Sequence, residues 1–267
     1  DGNINLSGES IGASKGSVNI QAGGVNGTAG GNALTVSNVS FTSQNGTTLS
    51  GLSAQNGAGV KLNGAINVTA GNLTVNGTTT RVNNATNVRG IDARNTNISV
   101  SGTNAVLNMT GTVKGATDAT QAQSVVGLDL SGKSTVLNAS SANLTGVSTG
   151  KGMGFILNAS LSDSLKSTTG NNLTLSSKGS DSAVHNYIGN RVNDAFIQHL
   201  IDAETHIGSK TEVQKVDIYK QKLTEIINAS TGNDLTKDFG EWILSFSNIT
   251  INKGGNISFT GASFSNS

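Results

Sequence analysis

The sequence predicts a mainly β protein: a right-handed parallel β-helix, or β-solenoid, with an inserted amphipathic α-helical hairpin near its C-terminal end. Three observations predict it. Short stretches alternate apolar and polar residues, related segments recur at uneven intervals, and helix-like periodicity is confined to a single charged stretch.

The alternation is plainest in "LNGAINVTAGNLTVNG", residues 62–77. Successive side chains of a strand leave on opposite faces. Leu62, Ile66, Val68, Leu73 and Val75 should therefore face a core, and Asn67, Thr69, Thr74 and Asn76 should face outward. Breaks are expected at Asn63-Gly64, Gly71-Asn72 and Asn76-Gly77, because glycine takes positive φ freely and asparagine tolerates it.

Composition narrows the architecture. Hydrophobic residues make up 34% of the 267, aromatic residues 4% and charged residues 12%. That supports a thin core column served by every strand better than a thick globular interior. The formal net charge is +1, so no strong field draws nucleic acid or an acidic membrane surface. Proline is absent, as suits a backbone whose N–H groups are committed to ladder bonds. Cysteine is absent too, which removes disulfides, thiol catalysis and Cys-based zinc sites. No apolar run approaches the roughly 20 residues of a membrane helix, so no membrane insertion is expected. Asp1 opens the chain without a basic, apolar leader, and the sequence reads as a piece of something longer.

The first 180 residues carry the coils. "GVKLNGAINVTAG" from Gly59, "GIDARNTNISVSG" from Gly90, "GLDLSGKSTVLNAS" from Gly127 and "GFILNASLSDSL" from Gly154 share one plan. Each has a glycine, an apolar-any-apolar triplet, a polar corner and a second strand. Their starts lie 31, 37 and 27 residues apart, a degenerate repeat unlike fixed-period solenoids. A β-sandwich is the competing architecture, favoured by Asn-Gly pairs at 26, 45, 56, 63 and 76 but opposed by the scarcity of large core side chains. The recurrent Asn-apolar-Ser/Thr triplets, such as those at 67, 72, 97, 138 and 143, could accept glycans. They also fit a simpler role, with Asn at a corner, the next residue in the core and the hydroxyl outside.

Residues 181–241 break the pattern and hold 16 of the 33 charged residues. Val184, Ile188, Val192, Ala195, Phe196 and Leu200 follow helical spacing. "SKTE" at 209–212 forms a capping box before Val213, Val216, Tyr219, Leu223, Ile226 and Ile227. Two helices joined at Gly208 make the hairpin. Strand language returns over 242–267, predicting one or two closing coils of the same domain.

Few residues suggest chemistry. Asp92 and Asp129 occupy the same slot of two coils and would project outward as a glycosidase or lyase pair might. The slot also holds Lys61 and Ile156, which reads instead as a tolerant surface row. His199, Asp202 and His206 share an edge of the first predicted helix and could bind a metal or report pH, while His185 and His199 fall in its apolar arc and could simply pack there. No catalytic or metal site is assigned, and no cofactor is expected; motifs for nucleotide, zinc or serine chemistry are missing. Tyr187, Arg191 and Asp194 fall on the solvent arc of the first predicted helix and are the candidate receptor-binding residues, Tyr and Arg being common interface anchors. Trp242 is expected to pin the returning chain.

The Gly/Asn/Ser/Thr-rich alternation and the coil style of "GVKLNGAINVTAGNLTVNG" resemble the filamentous haemagglutinin-like exoproteins of Gram-negative two-partner secretion. Residues 107–146 and the helical interruption are most similar to the receptor-binding region of CdiA-type contact-dependent growth-inhibition proteins. The resemblance implies a secreted filament threaded through an outer-membrane transporter barrel and displayed at the bacterial outer-membrane surface. It further implies a segment that binds an outer-membrane protein or surface glycan of a target bacterium so that a toxin can be delivered, with no enzymatic step of its own. A host-cell or glycan-binding adhesin of the same secretion class, and a polysaccharide-degrading β-helix, are the alternatives.

Overall fold

The computed structural model describes residues 3–23, 31–54, 56–80, 87–114, 125–149, 153–166, 173–179, 187–188, 242–245, 248–252, 256–260 and 263–266. The chain begins with β1 (Ile4–Ser7), β2 (Ser10–Ala13) and β3 (Val18–Ala22), then β4 (Leu34–Ser43), β5 (Thr47–Ser53), β6 (Gly57–Ala70) and β7 (Leu73–Thr79). Three-strand coils follow: β8 (Val88–Asp92), β9 (Thr96–Val100) and β10 (Val106–Val113); then β11 (Val125–Leu130), β12 (Val136–Asn138) and β13 (Ser141–Ser148). The next is β14 (Met153–Leu157), β15 (Ser160–Leu161), the single turn α1 (Asp163–Lys166) and β16 (Leu173–Gly179), after which β17 (Tyr187–Ile188) starts a further rung.

Every described pairing among β1–β17 is parallel. The stack is a β-solenoid of about four turns. One sheet runs β15-β12-β9-β6-β8-β11-β14-β17, with β4 also on β6 and β1 and β2 on β4; the other runs β16-β13-β10-β7-β5-β3. The long β6 bends between them: its first part pairs with β8 and its second with β9. From there each coil has two strands where β6 has one.

The recurring segments stack in the register the sequence predicts. Val60 lies opposite Ile91, Ile91 opposite Leu128, and Leu128 opposite Phe155. Leu49, Val75, Met109 and Leu144 make a second inward column across the other sheet, each at most 2% exposed. Burying side chains of this size contributes about 1.5–3 kcal/mol apiece, so a chain poor in apolar residues is held by placing nearly all of them in such columns. The triplets obey the simpler account in part: Val68, Leu73, Ile98, Ala139 and Leu144, their middle residues, are all buried, but while Asn72 stands at a corner and Asn138 ends β12, Asn67, Asn97 and Asn143 lie within β6, β9 and β13.

The glycines that open the coils have a specific cause. Gly51, Gly77, Gly111 and Gly146 form one column in register, and they face Gly59, Gly90, Gly127 and Gly154. A Cβ on Gly51 would lie 1.8 Å from the Gly59 carbonyl oxygen, on Gly77 2.0 Å from that of Gly90, on Gly111 2.0 Å from that of Gly127, and on Gly146 2.1 Å from that of Gly154. The two sheets meet backbone to backbone along this line. It pinches the interior into the main core and a small separate cluster of Val88, Val113 and Val125.

The pinch corrects one expected corner. Asn76-Gly77 lies inside β7, where glycine serves close approach. The other two breaks are real bends, with Gly64 at φ +67° and Gly71 at φ +70°. Asparagine works mainly by reaching to the next coil: the side-chain oxygens of Asn32, Asn38 and Asn72 accept from the backbone N–H groups of Ala58, Ala65 and Val106 at 2.9, 3.0 and 2.8 Å.

Two expectations near the C-terminus need correction. The first predicted helix includes Tyr187 and Ile188, which instead pair in parallel with Ile156 and Leu157. Strand-forming residues beside an open edge of β14 overrode the local helical period. The rest of the hairpin expectation, including Gly208 and the capping box, lies outside the described residues. The returning strands are β18 (Trp242–Ser245), β19 (Asn248–Asn252), β20 (Asn256–Thr260) and β21 (Ser263–Asn266). They are strands, as expected, but they pair antiparallel: β19 with β20, β18 with β21, and β16 with β19. Only Lys253-Gly254-Gly255 separates β19 from β20, enough for a hairpin and far short of the dozen residues a parallel crossover needs.

Candidate functional site

The slot shared by the coils is one register row: Lys61 pairs with Asp92, Asp92 with Asp129, Asp129 with Ile156, and Ile156 with Tyr187. The mixture of residues in the slot predicts a tolerant surface row. Asp92 and Asp129 are instead 7% and 1% exposed, because every residue of β8 and β11 is buried. Two carboxylates stacked on adjacent strands repel, and Arg89 and Arg94, which nothing in the alternation marks, compensate them.

Arg89 donates from Nε to Asp129 Oδ2 at 2.7 Å and also bonds the side-chain oxygen of Asn87. Arg94 grips Asp92 in a fork, Nε to Oδ1 and Nη2 to Oδ2, both at 2.8 Å. Its Nε also lies 3.8 Å from Asp129 Oδ2. Ser131 donates to the remaining Asp129 oxygen at 2.6 Å. Burial pushes the Asp92 carboxyl up, but the Arg94 hydrogen bonds and the charges of Arg94 and Arg89 outweigh it and hold it below the usual carboxylate range. Hydrogen bonding to Asp92 raises Arg94 in turn. "VRGIDAR" carries both partners within five residues of Asp92; basic residues flanking a strand-interior Asp were the signal available.

This arrangement suits a structural tie better than hydrolysis. A glycosidase pair needs one carboxyl kept protonated near neutrality and room for a sugar or water. Asp92 is held ionised, and both Asp129 oxygens are already occupied.

The accessible chemistry lies on the other sheet. Asn19, Thr48, Thr74, Asn108 and Asn143 form one register row, and Gln21, Ser50, Asn76, Thr110 and Thr145 another; the ladder continues in register into β16. Adjacent rungs are about 4.8 Å apart and the rows about 6.6 Å apart along the strands. Asn143 donates to Asn108 within its row at 2.8 Å. Neither row contains a charge.

At the corner leading into this sheet, the turns before β5, β7 and β10 flank an open surface groove of about 430 Å³, lined by Gln44, Asn45, Thr69, Ala70, Gly71, Asn72, Gly102 and Thr103. The lining is neutral and lacks an aromatic ring.

Of the candidate receptor-binding residues, Tyr187 stands in β17 opposite Ile156; Arg191 and Asp194 lie outside the described residues, as do His185, His199, Asp202 and His206. Trp242 pairs with Asn266 across β18 and β21. Among the described residues no group of three or more His, Cys, Asp or Glu side chains could hold a metal ion, and no helix is long and apolar enough to cross a membrane. Comparison with family models, curated proteins and solved structures finds no match to this chain.

Proposed function

We propose that the chain is a recognition segment of a secreted filamentous exoprotein of the two-partner secretion kind, displayed at the bacterial outer-membrane surface. It binds an outer-membrane protein or surface glycan on a neighbouring bacterium, and in the parent chain that contact permits toxin delivery in contact-dependent growth inhibition. The observation that carries this reading is the pair of unbroken, uncharged hydroxyl and amide rows on a solenoid whose coils are tied by continuous parallel ladders. A rod of this kind presents one fixed face without the nonspecific charge attraction that would hold it to every surface.

The same rows favour a second reading, a glycan-binding adhesin with a bacterial or host target, since hydroxyls and amides are both donors and acceptors. The test is adhesion of the fluorescently labelled chain to Gram-negative and epithelial cells, before and after protease shaving. Saturable binding to bacteria that protease abolishes supports an outer-membrane protein receptor, and binding that survives shaving supports the glycan. Absence of saturable binding to either cell type overturns both.

A further inference from the structure

We propose that the corner groove between the turns before β5, β7 and β10 is a subsite for one or two units of a neutral saccharide. This deepens the glycan reading above and rests on it for its biological setting.

The groove spans three successive coils, so a ligand in it touches parts of the chain that only the stacked fold brings together. Asn45 donates its side-chain amide to the Lys15 carbonyl oxygen at 3.3 Å, and other lining groups are uncommitted. The Gln44 amide and the Thr103 hydroxyl bond no described residue. Asn72 spends its oxygen on the Val106 N–H at 2.8 Å, which leaves its amide protons for the groove. The Thr69 hydroxyl bonds that of Thr42 at 2.7 Å and donates to the Phe41 carbonyl oxygen at 3.4 Å, so it meets a ligand as an acceptor.

The turn at Gly71 packs tightly on the one before it. Gly71 has φ +70°, and a Cβ there would come within 2.3 Å of the Ser43 carbonyl oxygen.

The chemistry of the lining selects the ligand class. With no cationic side chain it offers nothing to a phosphate or carboxylate, with no acidic one it offers nothing to a cation, and with no aromatic ring it has no platform for a base. Amides and hydroxyls that both donate and accept match ligand hydroxyls that do the same. A volume of about 430 Å³ is at the small end of ligand sites. Without a stacking ring a single contact is weak. A surface carrying many copies of the sugar makes up the difference by multivalency.

The test is isotope-edited NMR of the intact chain titrated with methyl α-mannoside, methyl β-galactoside and N-acetylglucosamine, with glucuronate as the charged control. The expected result is saturable shifts at Gln44, Asn45, Asn72 and Gly102 with at least one neutral sugar and none there with glucuronate. The Gln44→Ala/Thr103→Val double variant should weaken that binding by about tenfold, the loss of one or two hydrogen bonds. Groove signals unmoved by all three sugars, or a double variant that binds as well as the parent, would overturn the subsite.

Cell adhesion measured on the same two proteins separates the proposals. If the double variant adheres as the parent does, the groove has no part in adhesion and the surface-recognition reading stands. If sugar shifts occur in a chain that adheres to no cell, the subsite stands and the adhesion reading fails. Adhesion by the parent but not the double variant supports both. Its resistance to protease then assigns the sugar to a polysaccharide, and its sensitivity to a glycoprotein.

Discussion

Removing one member of the Arg89–Asp129 pair should destabilise the solenoid far more than replacing both. The two side chains are 8% and 1% exposed, so Asp129→Leu leaves a buried guanidinium with Asn87 as its one side-chain partner among the described residues. Breaking a buried pair in this way costs about 3–5 kcal/mol, whereas substituting both partners by apolar residues of similar volume is often neutral or better. The Arg89→Met/Asp129→Leu double variant should therefore fall within about 1–2 kcal/mol of the parent, the remainder being the Ser131 hydroxyl that loses its acceptor. Arg94 changes little, because Asp92 still holds both ends of its fork. Coils of a solenoid need not unfold as one unit, so urea unfolding followed by circular dichroism should be paired with hydrogen exchange at the β8 and β11 amides. A single variant costing less than about 1 kcal/mol, or a double variant costing as much as the two singles together, would refute the account of a desolvated, mutually compensating pair.

The remaining expectations concern the pinch, the acid limit and one orphaned hydroxyl. Gly111→Val places atoms against the Gly127 carbonyl, where the neighbour is backbone and cannot turn aside. It should cost about 3 kcal/mol or more in urea unfolding, while Gly8→Asn, at positive φ with nothing within 4 Å, should stay within about 0.5 kcal/mol. Because Asp92 titrates lower in the folded chain than in the unfolded one, the stability it adds is complete above its unfolded pKa and lost as pH falls through the folded value. Melting temperatures should drop on acidification below the ordinary carboxylate range, and Asp92→Asn should flatten that part of the profile. The Thr47 hydroxyl is buried without a partner among the described residues, so Thr47→Val should raise stability by about 1 kcal/mol in the same unfolding assay.

Much of the rod was legible because a strand writes its burial into every second residue. Leu62, Ile66, Val68, Leu73 and Val75 were assigned inward from alternation alone, and all are buried. The Gly59, Gly90, Gly127 and Gly154 coils aligned correctly because one residue type was repeated at one structural position. What alternation cannot express is the environment of the outward face. A residue beside an inward leucine looks the same in sequence whether water or another side chain lies over it. Asp92 and Asp129 therefore read as surface groups, and Arg89 and Arg94 drew no notice. Asn76-Gly77 misled for a related reason: the glycine of a turn and the glycine of a close approach are written identically, and only the facing Gly90 column tells them apart. Helical spacing around Tyr187 was a local property that the unpaired edge of β14 overrode, and the three residues between β19 and β20 were too few for the coil expected there.

The glycine columns bear on the surface as much as on the core. A rod with few charges and no disulfides has little else to fix the register of one coil on the next, and a slip by one residue would exchange the inner and outer sets of every strand. Along the pinch such a slip would drive Asn76 or Thr78, Thr110 or Thr112, and Thr145 or Val147 toward a carbonyl where even a Cβ is excluded. Register is thus enforced from inside by steric exclusion. The outer side chains are then free to be neutral and still stand in straight rows from β3 to β13. The recognition face proposed above depends on that division of labour: glycine and aliphatic residues set the lattice, and asparagine, serine and threonine are displayed on it.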